Sequence, residues 1–430
     1  MKKHIILLGM VWLAIACNTK PESEEITRVA DYNGYLDTQN TATWDQALDS
    51  KEFWSKRLRP DSSGVGDLAP LAGAYEQLFN QSGNSQFLCD AESLYEKGMA
   101  ISAQGKDGFA RGLARNYISQ HRFEEAYKLL QETFAGPSNK RETQLQLFDA
   151  AMEVGDYEAA YTHLEAVKDF SDYHYLIRLS KWSDYRGDLD NAIKYIEQAM
   201  AIAESRDNRA LRIWTYSNLA DYYGHAGRIS DSYQHYLKTL ALQPDNAYAK
   251  KGIAWILYSE EKNTSEAHRV LDSIMKTHQL PDYFLLKAEL FEFESKQEEA
   301  TNAMRRFLSS VSSGNYGGMY NTYLIEYYAE EDPEKANWIV QKELKNRATP
   351  EIYHLLALVQ LNKGEAEQAL ETITNHVEGK TYEPMALYHS ALVYKANKQM
   401  EKVTEIREEL LEAAYELGPL LAGKIEALTP

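Results

Sequence analysis

The sequence predicts an all-α chain, a solenoid of about nine or ten stacked helix hairpins, and three observations carry that prediction. First, "LARNYISQHRFEEAYKLL" from Leu113 and "LFDAAMEVGDYEAAYTHL" from Leu147 start 34 residues apart, and "LADYYGHAGRISDSYQHY" from Leu219 and "LALVQLNKGEAEQALETI" from Leu356 share their layout. Each has apolar residues at helical spacing, a short polar or glycine break, and a second helical stretch. Second, small residues recur at one place in each helix: Ala114, Ser180, Ala220, Ala254, Ala288, Ala357 and Ala391 in the first, Ala126, Ala160, Ala192, Ser232, Ala267, Ala300, Ala336 and Ala369 in the second. Helices pack about 8–10 Å apart, and a bulky side chain at the crossing would hold them away from each other. Third, Gly155, Gly187, Gly227 and Gly364 fall at the break, where the chain turns with a backbone angle that glycine adopts at little cost.

The chain opens differently. Residues 1–16 carry Lys2 and Lys3 and an apolar run from Ile5 to Ala16 broken only by Gly9, the layout of a secretory signal. About a dozen apolar residues are too few to cross a hydrocarbon core of about 30 Å as a helix, so the run is read as targeting. Ala14-Ile15-Ala16-Cys17 resembles the lipobox of bacterial lipoproteins, with Ala14 where leucine is commoner. The resemblance implies that Cys17 becomes the first mature residue and is acylated; a secretory signal with an incidental cysteine is the competing reading. Two or three acyl chains, at roughly 0.8 kcal/mol per buried methylene, hold a protein on a membrane where one does so marginally. Residues 17–34 then read as the lipidated cysteine and a flexible polar stalk containing Pro21. Glu22, Glu24 and Glu25 resemble an acidic signal that directs some lipoproteins to the cell surface, and a periplasmic-facing position stays equally open.

After processing, Cys89 has no partner for a disulfide, and no histidine or basic cluster surrounds it in sequence, so it reads as a structural thiol. With 64 acidic against 46 basic residues the formal charge is -18, which argues against nucleic acid as a ligand and against binding to anionic lipid headgroups. No later stretch approaches 18 apolar residues, so the mature body is expected to be soluble and tethered by its first residue.

Residues 35–105 are read as an N-terminal helical cap and a degenerate repeat. "TATWDQALDSKEFWSKRLRP" is helical, with Thr43 to Gln46 as a capping box, and the following segment holds Ala72 and Tyr75 where a hairpin would want them. The array spans residues 106–413. Phe148 and Leu324 break the small-residue rule, and the seventh unit replaces its turn glycine with "EEDPEK". Residues 309–319, "SSVSSGNYGGM", form a glycine- and serine-rich segment that is either a hinge or slack loop. Residues 414–430 restart a helix at Gly418-Pro419 whose Leu420, Leu421, Ile425 and Leu428 form a stripe, the closing cap that a repeat array requires.

These patterns resemble the tetratricopeptide repeat family, which prefers a small residue at position eight, an aromatic at eleven, glycine near fifteen and alanine at twenty. Tyr117, Tyr223 and Tyr394 occupy position eleven, although the 30 tyrosines cannot all be core. The resemblance implies a right-handed superhelical solenoid whose first helices line a concave face with positions two, five, nine, twelve and thirteen. Those positions are Arg111 and Arg115 in unit one, Lys181 and Tyr185 in unit three, and Trp214, Asp221 and His225 in unit four. Unit five adds Tyr248, Lys251, Trp255 and Tyr258. Aromatics beside cations suit an extended or helical peptide, and they equally suit packing between neighbouring units. The family's clamp for a terminal carboxylate is missing, since Arg111, Arg115, Leu145 and Asp149 stand at its places.

The sequence holds no H-E-x-x-H, no paired C-x-x-C, no G-x-S-x-G and no phosphate-cradling G-x-x-x-x-G-K-[ST]. Its 11 histidines are scattered. The reading is a non-enzymatic, lipid-anchored scaffold at a bacterial envelope membrane, expected to be the outer membrane with either face open, that binds envelope proteins and needs no cofactor, metal or nucleic acid. A lipoprotein that captures solutes or glycans for uptake, or an enzyme with a site built across helices, are the alternatives.

Overall fold

The computed structural model describes residues 26–36, 41–58 and 64–428. The segment read as a secretory signal, Cys17 and the acidic residues after it lie outside the described residues. Every regular element among those described is helical. A lone helix, Ala42–Arg57, precedes a leading hairpin of Val65–Ser82 and Gln86–Ile101. Unit one pairs Lys106–Ser119 with Phe123–Ala135, unit two Lys140–Val154 with Tyr157–Ala166, and unit three Tyr173–Tyr185 with Leu189–Ser205. Units four to six are Arg209–His225 with Ile229–Leu242, Ala247–Ser259 with Thr264–Ile274, and Asp282–Phe293 with Gln297–Ser313. Units seven to nine are Asn321–Glu331 with Pro333–Asn346, Pro350–Asn362 with Ala366–His376, and Pro384–Ala396 with Met400–Glu412, followed by Ala414–Glu426. The fold is an all-α superhelical solenoid.

The small residues lie where the helices touch: Ala114, Ala220, Ala254, Ala357 and Ala391 are fully buried, as are Ala126, Ala160, Ala192, Ala267, Ala336 and Ala369. At Ser180 the hydroxyl is satisfied by donating across the hairpin to the Ala192 carbonyl at 2.7 Å. The position-eleven tyrosines are buried too, and each carries a cation on its ring: Arg122 on Tyr117, Arg228 on Tyr223, Lys402 on Tyr394. Side chains of Asn139, Asp156, Asp172, Asp188, Asn208, Asn246 and Asn263 each accept a backbone N–H at a helix start. Such caps contribute about 1 kcal/mol apiece. Unit seven turns without glycine because Asp332 caps the next helix and Pro333 opens it. The Thr43–Gln46 capping box is corrected: the helix begins at Ala42, which puts Thr43 inside it, where its hydroxyl donates to Asp245 at 3.1 Å.

The superhelix winds so tightly that the leading hairpin and units one to four each meet the chain about six units further on. The turn of the leading hairpin touches the entry to unit six, with the Gln279 N–H donating to the Ser82 carbonyl at 2.8 Å. Unit one meets unit seven through Gly318 N–H to the Gln120 carbonyl at 2.9 Å and the Asn346 amide to the His121 carbonyl at 2.8 Å. Unit two meets unit eight at Gly155 and Thr349, unit three meets unit nine at Gly187 and Tyr382, and unit four meets Tyr415 at Gly224. A Cβ on Gly83 would lie 2.9 Å from the Leu280 backbone nitrogen, and one on Gly187 would lie 2.7 Å from the Tyr382 ring. The glycines at these turns therefore serve close approach between successive turns of the superhelix as well as the positive φ.

Two expectations need correction. The stalk assigned through residue 34 is docked from Ile26 onward, because Tyr32 is buried and donates to Glu266 at 2.7 Å while Thr27 donates to Glu261 from both N–H, at 2.7 Å, and hydroxyl, at 2.9 Å. Residues 309–319 are neither hinge nor slack: the first five extend a helix, and the remainder is strapped to units six positions earlier. There Asn315 N–H donates to Ser85 at 3.2 Å, and a Cβ on Gly317 would meet the Gln120 carbonyl oxygen at 2.4 Å.

Candidate functional site: a groove along the superhelix axis

Tight winding turns the concave face into a chain of cavities along the axis. Asp221, His225, Tyr248, Lys251 and Trp255 come together around one of about 420 Å³. Asp221 accepts from the hydroxyls of Tyr236 at 2.5 Å and Tyr248 at 2.6 Å, and Lys251 pairs with Asp282 at 2.5 Å. Lys181, Tyr185 and His225 line the next cavity, of about 450 Å³, where Lys181 pairs with Glu153 at 2.7 Å. The other sequence-derived residues stand apart. Arg111 pairs with Asp107 at 2.7 Å, Arg115 lies beside Glu76 and opposes the rise that burial gives its carboxyl, and Trp214 meets Tyr173 edge-on at 6.3 Å. Tyr258 is corrected from open to covered: it is fully buried beside the segment after unit nine, and its hydroxyl donates to Glu289 at 3.0 Å.

Sequence reasoning missed the acidity of this axis. Asp184, Glu351, Glu383 and Glu416 line the same cavity as Lys181 and His225. Burial raises Asp184 and Glu416, and Glu383 is pushed up to about 7, by burial first and then by Glu416, Glu351 and Asp184. His225 Nδ1 stands 3.9 Å from Glu416. In a third cavity, of about 450 Å³, burial pushes Glu326 up to about 7. Part of this was legible, because positions two and nine of unit six and position two of unit eight are Asp282, Glu289 and Glu351.

It also missed an occupant. The segment after unit nine closes that unit's core with Leu417, Ile425 and Leu428, and its other side enters the groove. The Tyr415 carbonyl accepts from Trp255 Nε1 at 3.1 Å and from the Ser259 hydroxyl. Gly418, at φ +76°, breaks the helix, and a Cβ there would lie 2.8 Å from a Glu289 oxygen and 3.0 Å from the Trp255 ring. The groove residues thus hold a main chain in place by donating to its carbonyl and by pressing on a residue without a side chain. The cap is therefore also the filling of the concave face beside units four to six.

Residues 185–245 match the family model described as tetratricopeptide repeat. No curated protein matches the sequence. Among solved structures, a human IFIT1 dimer with m7Gppp-AAAA is similar at 12% identity and TM-score 0.47 over 76% of this chain and 75% of that one. The pilF protein of Pseudomonas aeruginosa is similar at 13% identity and TM-score 0.36 over 50% of this chain and 97% of that one. The APC/C hetero-tetramer Cut9-Hcn1 is similar at 14% identity and TM-score 0.36 over 90% of this chain and 88% of that one.

Proposed function

We propose that the protein is a non-enzymatic scaffold, anchored through acylated Cys17 at a bacterial envelope membrane, whose axial groove receives a segment of a partner protein. The observation that carries the reading is the axial cavity left open beside the Tyr415 segment, lined by Lys181, Asp184, Glu383 and Glu416; the grip of Trp255 and Ser259 on the Tyr415 carbonyl is how this face already holds a main chain. Repeat solenoids act through such extended concave surfaces. The carboxyls of Asp184, Glu383 and Glu416, all raised by burial and the last two also by neighbouring carboxyls, favour a segment that brings lysine or arginine. The anchor raises the local concentration of the groove near membrane proteins.

The test is site-specific photo-cross-linking in the native envelope. A photoreactive residue at Tyr248, exposed at the groove, is expected to capture a protein that the same residue at Glu401 on the outer helix of unit nine does not. Capture at Glu401 alone, or at neither place, refutes the groove. The anchor is tested apart from it: Cys17→Ser is expected to move the protein from the membrane fraction to the soluble one, and an unchanged membrane fraction refutes acylation.

A further inference from the structure

Where the second turn of the superhelix passes over the first, units two and three face unit eight across an open cleft of about 640 Å³. One wall is an aromatic ledge: Tyr157 and Tyr185 stack at 4.1 Å, and Trp182 lies 5.3 Å from Tyr185. The facing wall stacks Tyr353 on His376 at 3.9 Å with the rings 10° from parallel. Tyr382, 63% exposed, lies over Gly187 between the two walls. These rings are held against each other, so a ligand meets a surface that is already ordered.

The polar groups of the cleft are mostly neutral, phenols foremost. Tyr157, Tyr185, Tyr353, Tyr382 and Trp182 line the cleft, and their hydroxyls and indole N–H bond to no described residue; Tyr157, Tyr185 and Tyr382 also border the axial cavity. Elsewhere in the chain such hydroxyls are spent on carboxylates, as at Tyr127, Tyr223 and Tyr248. The charged residues on the lining are Arg186 and Lys380, with Glu158 the one carboxylate. In a chain of charge -18 this is a local excess of positive charge.

A matching ligand offers flat apolar faces for the rings, carbonyl acceptors for the indole N–H and the phenols, and negative charge for Arg186 and Lys380. Proline brings a flat ring and no N–H, and in polyproline II the carbonyls have no internal partner. Aromatic ledges with indole and phenol donors are the chemistry by which such segments are held, at a low ordering cost because the ligand is already extended. We propose that this cleft binds a proline-rich segment of a partner protein, with its carbonyls on the Trp182 and tyrosine donors and flanking acidic residues on Arg186 and Lys380.

The test uses the full mature chain and a fluorescent decamer of prolines flanked by two glutamates on each side, read by anisotropy. Saturable binding is expected, weakened about tenfold by Tyr382→Ala and severalfold by Trp182→Phe, which keeps the ring and removes the N–H. Tyr248→Ala in the axial groove is expected to leave this binding unchanged, which separates it from the function proposed above. Helical content by circular dichroism checks that each variant folds. Three results overturn the proposal: no binding of the decamer, equal binding of a glycine-serine decamer with the same glutamates, or displacement of the decamer by neutral oligosaccharides that bind in its place.

Discussion

Glu326→Gln is expected to stabilise the protein at pH 8 and to change it little at pH 5. Glu326 faces an axial cavity, and burial alone pushes its carboxyl from an ordinary 4.5 up to about 7. The folded state holds that proton up to about pH 7 while the unfolded chain releases it near 4.5. Stability is therefore lost as pH rises between those values, and the loss is complete above them. At 1.36 kcal/mol per pH unit the difference amounts to about 3 kcal/mol as an upper bound. Glutamine keeps the shape and never ionises, so it escapes the penalty. An unfolding entropy of roughly 2.1 cal/mol/K per residue makes 3 kcal/mol worth about 3 °C in a chain of this length. Thermal melts followed at 222 nm at pH 5 and pH 8 read the effect directly. An equal shift at both pH values, or a lower melting temperature for the variant at pH 8, refutes the reasoning.

Three further perturbations address other features. Gly83→Ala and Gly227→Ala both place alanine at positive φ, at about 1–2 kcal/mol, but only Gly83 has a backbone nitrogen of the next superhelical turn at 2.9 Å from the added Cβ, while Gly227 faces open space. Gly83→Ala should cost about 1–3 kcal/mol more in urea unfolding, and equal costs would remove the contact between turns from the energetics. Trp255→Phe removes the hydrogen bond to the Tyr415 carbonyl, so amide exchange in Ala414–Glu426 should quicken about fivefold for about 1 kcal/mol; unchanged exchange would mean that the groove does not hold the segment. His354 and His389 touch through their Nδ1 atoms at 2.9 Å in the core, and burial holds His389 down to about 4. His389 should take about 2 kcal/mol from the stability between pH 7 and pH 5 as the unfolded chain takes up its proton, and His389→Leu should remove that share of the pH dependence relative to the parent; an unchanged pH dependence in the variant would refute the assignment.

The units were legible because their signals are local. Ala114, Ala126 and Ala160 reveal a crossing wherever it stands in the chain, and Gly155 and Gly187 mark their turns without reference to anything distant. The winding was not legible, since the small rotation between neighbouring units depends on how whole faces pack, and no single residue records it. Asn346 reads as an ordinary helix-terminal asparagine until the His121 carbonyl is found 2.8 Å from its amide. The groove suffered from the same blindness. Lys251 and Trp255 were identified from their unit alone, while Asp282 is one unit on and Tyr415 is far along the chain. Tyr258 reads as open to a ligand until the segment after unit nine is found beside it.

The meeting of the early units with the chain about six units further on has a consequence for how the gene can change. Repeat proteins ordinarily gain or lose modules freely, since each touches only its immediate neighbours. Here the removal of one module would slide every later seam out of alignment, setting Asn346 and Gly318 opposite strangers instead of His121 and Gln120. Copy number is locked by geometry, and melting cannot creep inward from one end without first unzipping a seam that joins positions more than two hundred residues apart.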